Sequence, residues 1–179
     1  MNDLAAATGM AKPGLYAAFG DKETLFARAL EQYATKNGEQ LYAELKDTEL
    51  PIRSSIKRFL TLIAKFLTDE STPPGCFLVR SIVDNVDSES PLMSLARKFE
   101  NWRREALSER FEIARAKGEI PLDADPEKLA EFFAAQVSAL AVISIAGADL
   151  KTLERIIDTA ITAVPETPHI PPDSEKTTR

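Results

Sequence analysis

Apolar residues recur along this chain at spacings of three and four, and glycine, proline or short polar runs interrupt them at intervals. That rhythm predicts an all-helical fold. Two short helices come first: Leu4 to Thr8, stopped by Gly9, and Pro13 to Phe19, stopped by Gly20-Asp21. A long amphipathic helix follows from Lys22 to Lys46, with Leu25, Phe26, Ala29, Leu30, Tyr33, Leu41 and Leu45 as buried candidates, and Asn37-Gly38 is the place for a kink. Pro51 opens the next helix, where its missing N–H costs nothing, and Ile52, Ile56, Phe59, Leu60, Ile63, Phe66 and Leu67 share one face. Ser71 to Gly75 is a loop by composition. Cys76 to Val86 is a shorter apolar helix, and Leu92 to Lys117 a helix striped by Leu95, Phe99, Trp102, Ala106 and Ile113, closed by Gly118.

The last two helices carry the strongest packing signal. Asp125 caps a helix that has Pro126 in its first turn, reaches about Ala146 and is apolar nearly all round. Asp149 caps a final helix bearing Leu150, Leu153, Ile156, Ile157, Ala160, Ile161 and Val164. A helix apolar all round must be covered on all sides, and a body this small is short of chain to do it. The expected cover is a second copy of the protein, two final helices from each subunit making a four-helix bundle about a two-fold axis. The interface candidates are Phe132, Ala135, Ala139, Val142, Leu153, Ile157 and Ile161.

Composition narrows the function classes. At 179 residues, 44% hydrophobic and 28% charged, the chain suits a globular body with a small head. Its single cysteine, Cys76, excludes an internal disulfide and fits a reducing, cytoplasmic compartment. The only histidine, His169, lies in a polar proline-rich tail, which argues against a histidine metal site or a serine–histidine triad. No Glu-x-x-His pair, phosphate-cradling glycine loop or nucleophile elbow appears, so neither an enzyme nor a cofactor is expected. No uninterrupted apolar run is read as membrane-spanning, so no membrane partner is expected. The net charge of −6 speaks against a generic nucleic-acid coat but leaves room for a small DNA-reading head. Along Leu92 to Lys117, Arg97, Lys98, Arg103, Arg104, Arg110 and Arg115 interleave with glutamates, the pattern of a solvated, salt-bridged face.

Helix, glycine turn, helix is the layout of a helix-turn-helix, whose second helix lies in the DNA major groove. The run Leu15-Tyr16-x-x-Phe19-x-x-Lys22-Glu23-x-Leu25-Phe26 resembles the tetracycline-repressor-like (TetR) transcriptional regulators in order and spacing. The resemblance is most specific over Asp3 to Tyr33 and implies a repressor that binds palindromic operator DNA as a homodimer and is released by a small effector. It makes Pro13 to Phe19 the recognition helix. Lys12, Pro13 and Gly14 form its leading edge, while Tyr16 and Lys22 reach phosphates. Leu4, Leu15, Phe19 and Phe26 would form the miniature core beneath. Because Met1 falls inside the first helix of the turn, a truncated head lacking its leading helix is expected. The alternative reading is therefore a ligand-sensing and dimerisation module with little DNA binding of its own.

The expected division is a partial head with connecting helix over 1–46, a ligand-binding and dimerisation domain over 47–164, and a disordered tail over 165–179. The effector cavity is expected between the helices that begin near Ile52, Cys76, Leu92 and Asp125. Phe59, Ile63, Phe66, Phe77, Phe99, Trp102 and Phe133 are its inward candidates, a lining suited to a hydrophobic or aromatic molecule. Cys76, after a loop and at a helix start, is either a redox-sensitive thiol or a small buried hydrophobe.

Overall fold

The structure is a computed structural model that describes residues 1–73, 75–84 and 91–167. Among the described residues there are eight helices and no strand. The first two are α1 (Asn2–Thr8) and α2 (Lys12–Phe19), joined through Gly9, whose φ of 67° is the left-handed conformation that glycine adopts freely. Ala11 gives α2 no side-chain cap. Asp21 caps the next helix, α3 (Lys22–Lys46), accepting from the Thr24 backbone N–H at 2.8 Å.

α3 runs unbroken through Asn37-Gly38, where a kink was expected. Asn37 turns its amide back onto the Tyr33 carbonyl at 2.8 Å, so it serves the helix rather than competing with it. Gly38 is buried against Trp102, and a Cβ added there would lie 2.6 Å from the indole ring.

The body consists of α4 (Ile52–Leu67), α5 (Phe77–Asp84), α6 (Pro91–Ala116), α7 (Pro126–Ile145) and α8 (Leu150–Ile161). α6 lies along both α7 and α3, and α4 is held between α3, α7 and α8. The main core gathers Ile56, Phe59 and Leu60 of α4, Leu107 and Phe111 of α6, Phe133 and Leu140 of α7, and Leu153 and Ile157 of α8. A smaller cluster of Leu30, Leu78, Leu92 and Ala96, with Phe26 packed against it, ties the upper half of α3 to α5 and α6.

Three expectations need correction here. Leu4 is exposed, so the core beneath the head is Leu15 with half-buried Phe19 and Phe26; α1 packs on α2 alone and buries none of its residues. Arg103 and Arg110 are buried, not part of the solvated face, because they leave α6 on the sides that meet α3, α7 and the turn before α4; Arg97, Lys98 and Arg104 are exposed as expected. α7 does reach membrane-spanning length and apolarity, because its charges cluster in the first two turns. Within the chain, however, one face of it packs as a core helix, with Phe133, Val137, Leu140 and Ala141 buried.

The start of the expected tail is placed: Arg53 pairs with Glu166, and the Thr167 hydroxyl donates to the Gly118 carbonyl at 2.9 Å. The rest of that stretch, His169 included, lies outside the described residues. The turn from α3 into α4 is held from α6 and the loop after it. Arg110 donates to the Leu50 carbonyl at 2.6 Å, Lys117 to the Thr48 carbonyl at 2.5 Å, and Glu119 accepts from the Ile52 N–H.

Asp21, Asp125 and Asp149 each cap a helix, and backbone and side-chain hydrogen bonds in the first turn hold their carboxyls below the ordinary carboxylate value. A depressed folded-state value means that the stabilisation is complete above the unfolded-state value and disappears as pH falls through the folded one. Asp149→Asn keeps a capping oxygen and loses only the charge. It should melt slightly below the parent at pH 7, and that difference should close as the pH is taken below 3.8, the ordinary aspartate value, in a series of thermal melts.

Candidate functional site

Two regions of this fold can do chemistry on a partner: the outer face of α2 and a cavity in the body. On α2, burying Leu15 turns the rest of the helix outward. Lys12, Pro13 and Tyr16 are exposed and Gly14 is half-buried, with only the Met10 side chain near the place where a Cβ would be. Lys22 is exposed in the first turn of α3, beside the backbone N–H groups that a phosphate oxygen favours. The five residues picked from the sequence therefore fall within one short stretch of α2 and the start of α3. The two lysines and the phenol are open to solvent there and can supply backbone-anchoring groups.

The cavity lies between α3, α4, α6 and α7, with Cys76 and Leu78 at one end, and has about 60 Å³ of free space. That is the volume of roughly two liquid waters. Ile63, Phe66 and Phe99, expected as lining, are there. Phe77 lines an open neighbouring recess that shares Tyr33, Asn37 and Phe66 with the cavity. Phe59 and Phe133 are wholly buried in the main core and do not line the cavity, since each is needed between α4, α6 and α7. Trp102 lies outside it as well, half-exposed between α3 and α6 with its ring on Gly38 and Tyr42.

Sequence reasoning missed the contribution of α3, which supplies Tyr33, Ala34, Asn37, Gly38, Leu41 and Tyr42 to the lining. The signal was present, since Tyr33 and Leu41 already stood on the apolar stripe of that helix. It also missed Arg103. This guanidinium is only 5% exposed and donates through Nε to Tyr42 Oη at 2.7 Å and through Nη1 to Glu100 Oε2 and Ser138 Oγ, both at 3.2 Å. Burial pushes the Tyr42 phenol above its ordinary value, with Arg103 opposing, so it stays a neutral hydroxyl. Burial alone would lower Arg103, but Tyr42 and Glu100 more than offset it and hold the charge in place. Burial also raises the Glu100 carboxyl, which Arg103 partly restrains. At the far end Tyr33 donates to Cys76 Sγ at 3.8 Å and accepts from the Phe77 N–H at 3.4 Å, and burial, then the thiol, raises its phenol. The cavity is thus an apolar chamber with polar groups at two places.

The candidates for self-association divide. Phe132, Ala135 and Val142 are exposed and Ala139 half-buried along one stripe of α7, to which the structure adds exposed Ile145. Leu153, Ile157 and Ile161 are instead in the subunit's own core, because α8 turns that face onto α4. They are withdrawn from any outer surface.

A family model described as the C-terminal domain of tetracyclin repressor-like proteins matches residues 41–163, and a model for bacterial regulatory proteins of the tetR family matches residues 1–29. The second match does not support the expected loss of a head helix. The chain is 33% identical to the HTH-type transcriptional repressor ComR of Escherichia coli (strain K12), over 92% of this chain and 78% of that protein. Among solved structures it resembles the TetR family transcriptional regulator CifR complexed with a 26 bp operator DNA, with a TM-score of 0.81 and 26% identity over 92% of this chain and 86% of that one. A putative TetR transcriptional regulator from Rhodococcus sp. RHA1 aligns with a TM-score of 0.64 and 29% identity, covering 92% and 87%.

Replacing Gly38 by alanine should force the ring of Trp102 off α3 and cost about 1–3 kcal/mol, as overpacking does. Because Trp102 is the only tryptophan, its emission spectrum should shift along with the melting temperature. An unchanged spectrum would refute the close approach of α3 and α6.

Proposed function

Since the chain belongs to the tetracycline-repressor-like family of transcriptional regulators, we propose that it is a cytoplasmic repressor that binds a palindromic operator as a homodimer and lets go when a small, largely apolar effector enters the body. One observation carries this reading: α3 starts next to the recognition ridge and its middle forms a wall of the cavity. A ligand that prefers one position of that wall has a direct mechanical route to the head. To act, it must bind the two positions with different affinity, not merely bind.

In this reading Lys22 and Tyr16 fix the head on phosphates, while Lys12, Pro13 and Gly14 face base edges. The homodimer is supported by the apolar stripe of α7, on which Phe132, Val142 and Ile145 are exposed, and Phe132 also lines a groove with Ile156 and Thr159 of α8. A large apolar stripe facing water is what a second subunit would cover. The competing module without DNA binding loses support, because the head model matches from residue 1.

Selection from a random duplex pool should return a palindrome. On that duplex Lys22→Ala should weaken binding evenly across sequence variants and lower the salt slope by about 1, whereas Lys12→Ala should change which base is preferred. A Lys22→Ala variant with unaltered affinity and salt slope would rule out the backbone role.

Ala135→Glu tests the assembly. An unpaired charge in an apolar interface costs about 3–5 kcal/mol, so light scattering should show dimers for the parent and monomers or aggregates for the variant. A monomeric parent would end the homodimer reading.

A further inference from the structure

A guanidinium carries five N–H donors and no acceptor. Arg103 uses Nε on Tyr42 and Nη1 on Glu100 and Ser138, and Nη2 makes no hydrogen bond among the described residues. Unlike Nε and Nη1 of Arg110, which are sealed in protein without partners, Nη2 of Arg103 is not sealed. Tyr42 Oη accepts from Arg103, and its own proton has no acceptor among the described residues. Both residues line the cavity, while Glu100 and Ser138 do not. The chamber lining therefore includes, besides Tyr33 and Asn37, two adjacent residues with unspent donors, one of them charged.

We infer that the effector is an amphipathic carboxylic acid, whose carboxylate accepts from Arg103 and Tyr42 while its apolar body lies against Ile63, Phe66 and Phe99. This rests on the effector-cavity reading above and names the chemistry that the cavity selects. A carboxylate offers two oxygens to the two donors, one of them on a guanidinium that Glu100 engages through Nη1 and leaves open at Nη2. An amide or ketone carbonyl offers one oxygen and no charge. An amine brings a cation to a cation. A phosphate carries more oxygens than there are donors, and the surplus would face the apolar wall unpaired. With about 60 Å³ free, a phenyl-alkyl acid has to move the helices that line the cavity, α3 among them, which is the displacement that the effector reading needs.

The test is calorimetry on the full chain with four matched probes: 4-phenylbutyrate, 4-phenylbutyramide, 4-phenylbutanol and 4-phenylbutylamine. The acid should bind saturably and about tenfold or more tighter than the other three, the range expected for one hydrogen bond to a charged group. Arg103→Gln should abolish that preference. Tyr42→Phe, which removes a single oxygen, should weaken the acid severalfold and leave the alcohol unchanged; it keeps the test valid if Arg103→Gln does not fold. Alcohol, amide or amine binding as tightly as the acid overturns the acid proposal and leaves the cavity reading intact. Acid binding that survives both substitutions overturns it too. No saturable heat from any of the four removes the acid proposal and the effector-cavity reading together.

Discussion

Everything here depends on one helix serving two cores. α3 has 25 residues, about 37 Å of rigid rod at 1.5 Å per residue. Its first turns carry Phe26 and Leu30 into the small cluster with α5 and α6. Its last turns carry Tyr42 and Leu45 into the main core. Between them the same surface forms the cavity wall, so α3 cannot change its pose in one region without changing it in the other. A loop at Asn37-Gly38 would have uncoupled the two. The glycine instead brings α3 and α6 together, with Trp102 pressed where a side chain would otherwise stand.

The second organising feature is polar. α6 buries two guanidiniums, Arg103 toward the cavity and Arg110 toward the α3–α4 turn. Buried charges are tolerated only where partners are at hand. Glu100, Ser138 and Tyr42 serve the first, and the Leu50 carbonyl with Glu119, 3.8 Å away, serves the second. Each arginine therefore links α6 to another element: Arg103 to α3 and α7, Arg110 to the start of α4. These are directional links that apolar packing cannot supply, and they fix how α6 lies among its neighbours.

Most of the fold was legible because helical periodicity, proline and glycine are local signals. α3 was read to the residue, and the Asp125 and Asp149 caps hold as expected, accepting from Lys128 and Thr152 N–H groups. What failed is what depends on the arrangement of helices. Leu153, Ile157 and Ile161 were rightly read as buried, but whether a partner or the subunit's own α4 covers them is not written in the spacing. Phe59 and Phe133 have the same apolar character as Phe66 and Phe99, and only the crossing of α4, α6 and α7 decides which pair lines space and which fills it. Arg103 was unreadable for a different reason: in a stretch of alternating charges, a buried arginine looks like any solvated one. On the head, the sequence motif and the exposed ridge of α2 agree, because one buried leucine is enough to orient an eight-residue helix.

The pinned turn between α3 and α4 makes α3 a lever with a fixed fulcrum. Arg110, Lys117 and Glu119 hold the chain at Thr48, Leu50 and Ile52, so any swing of the rod has its still point near Lys46. Gly38 lies about 12 Å from that point and Lys22 about 36 Å. Parting the cavity walls by one ångström at Gly38 would thus move the base of the reading head by about three, comparable to the spacing between successive base pairs of DNA.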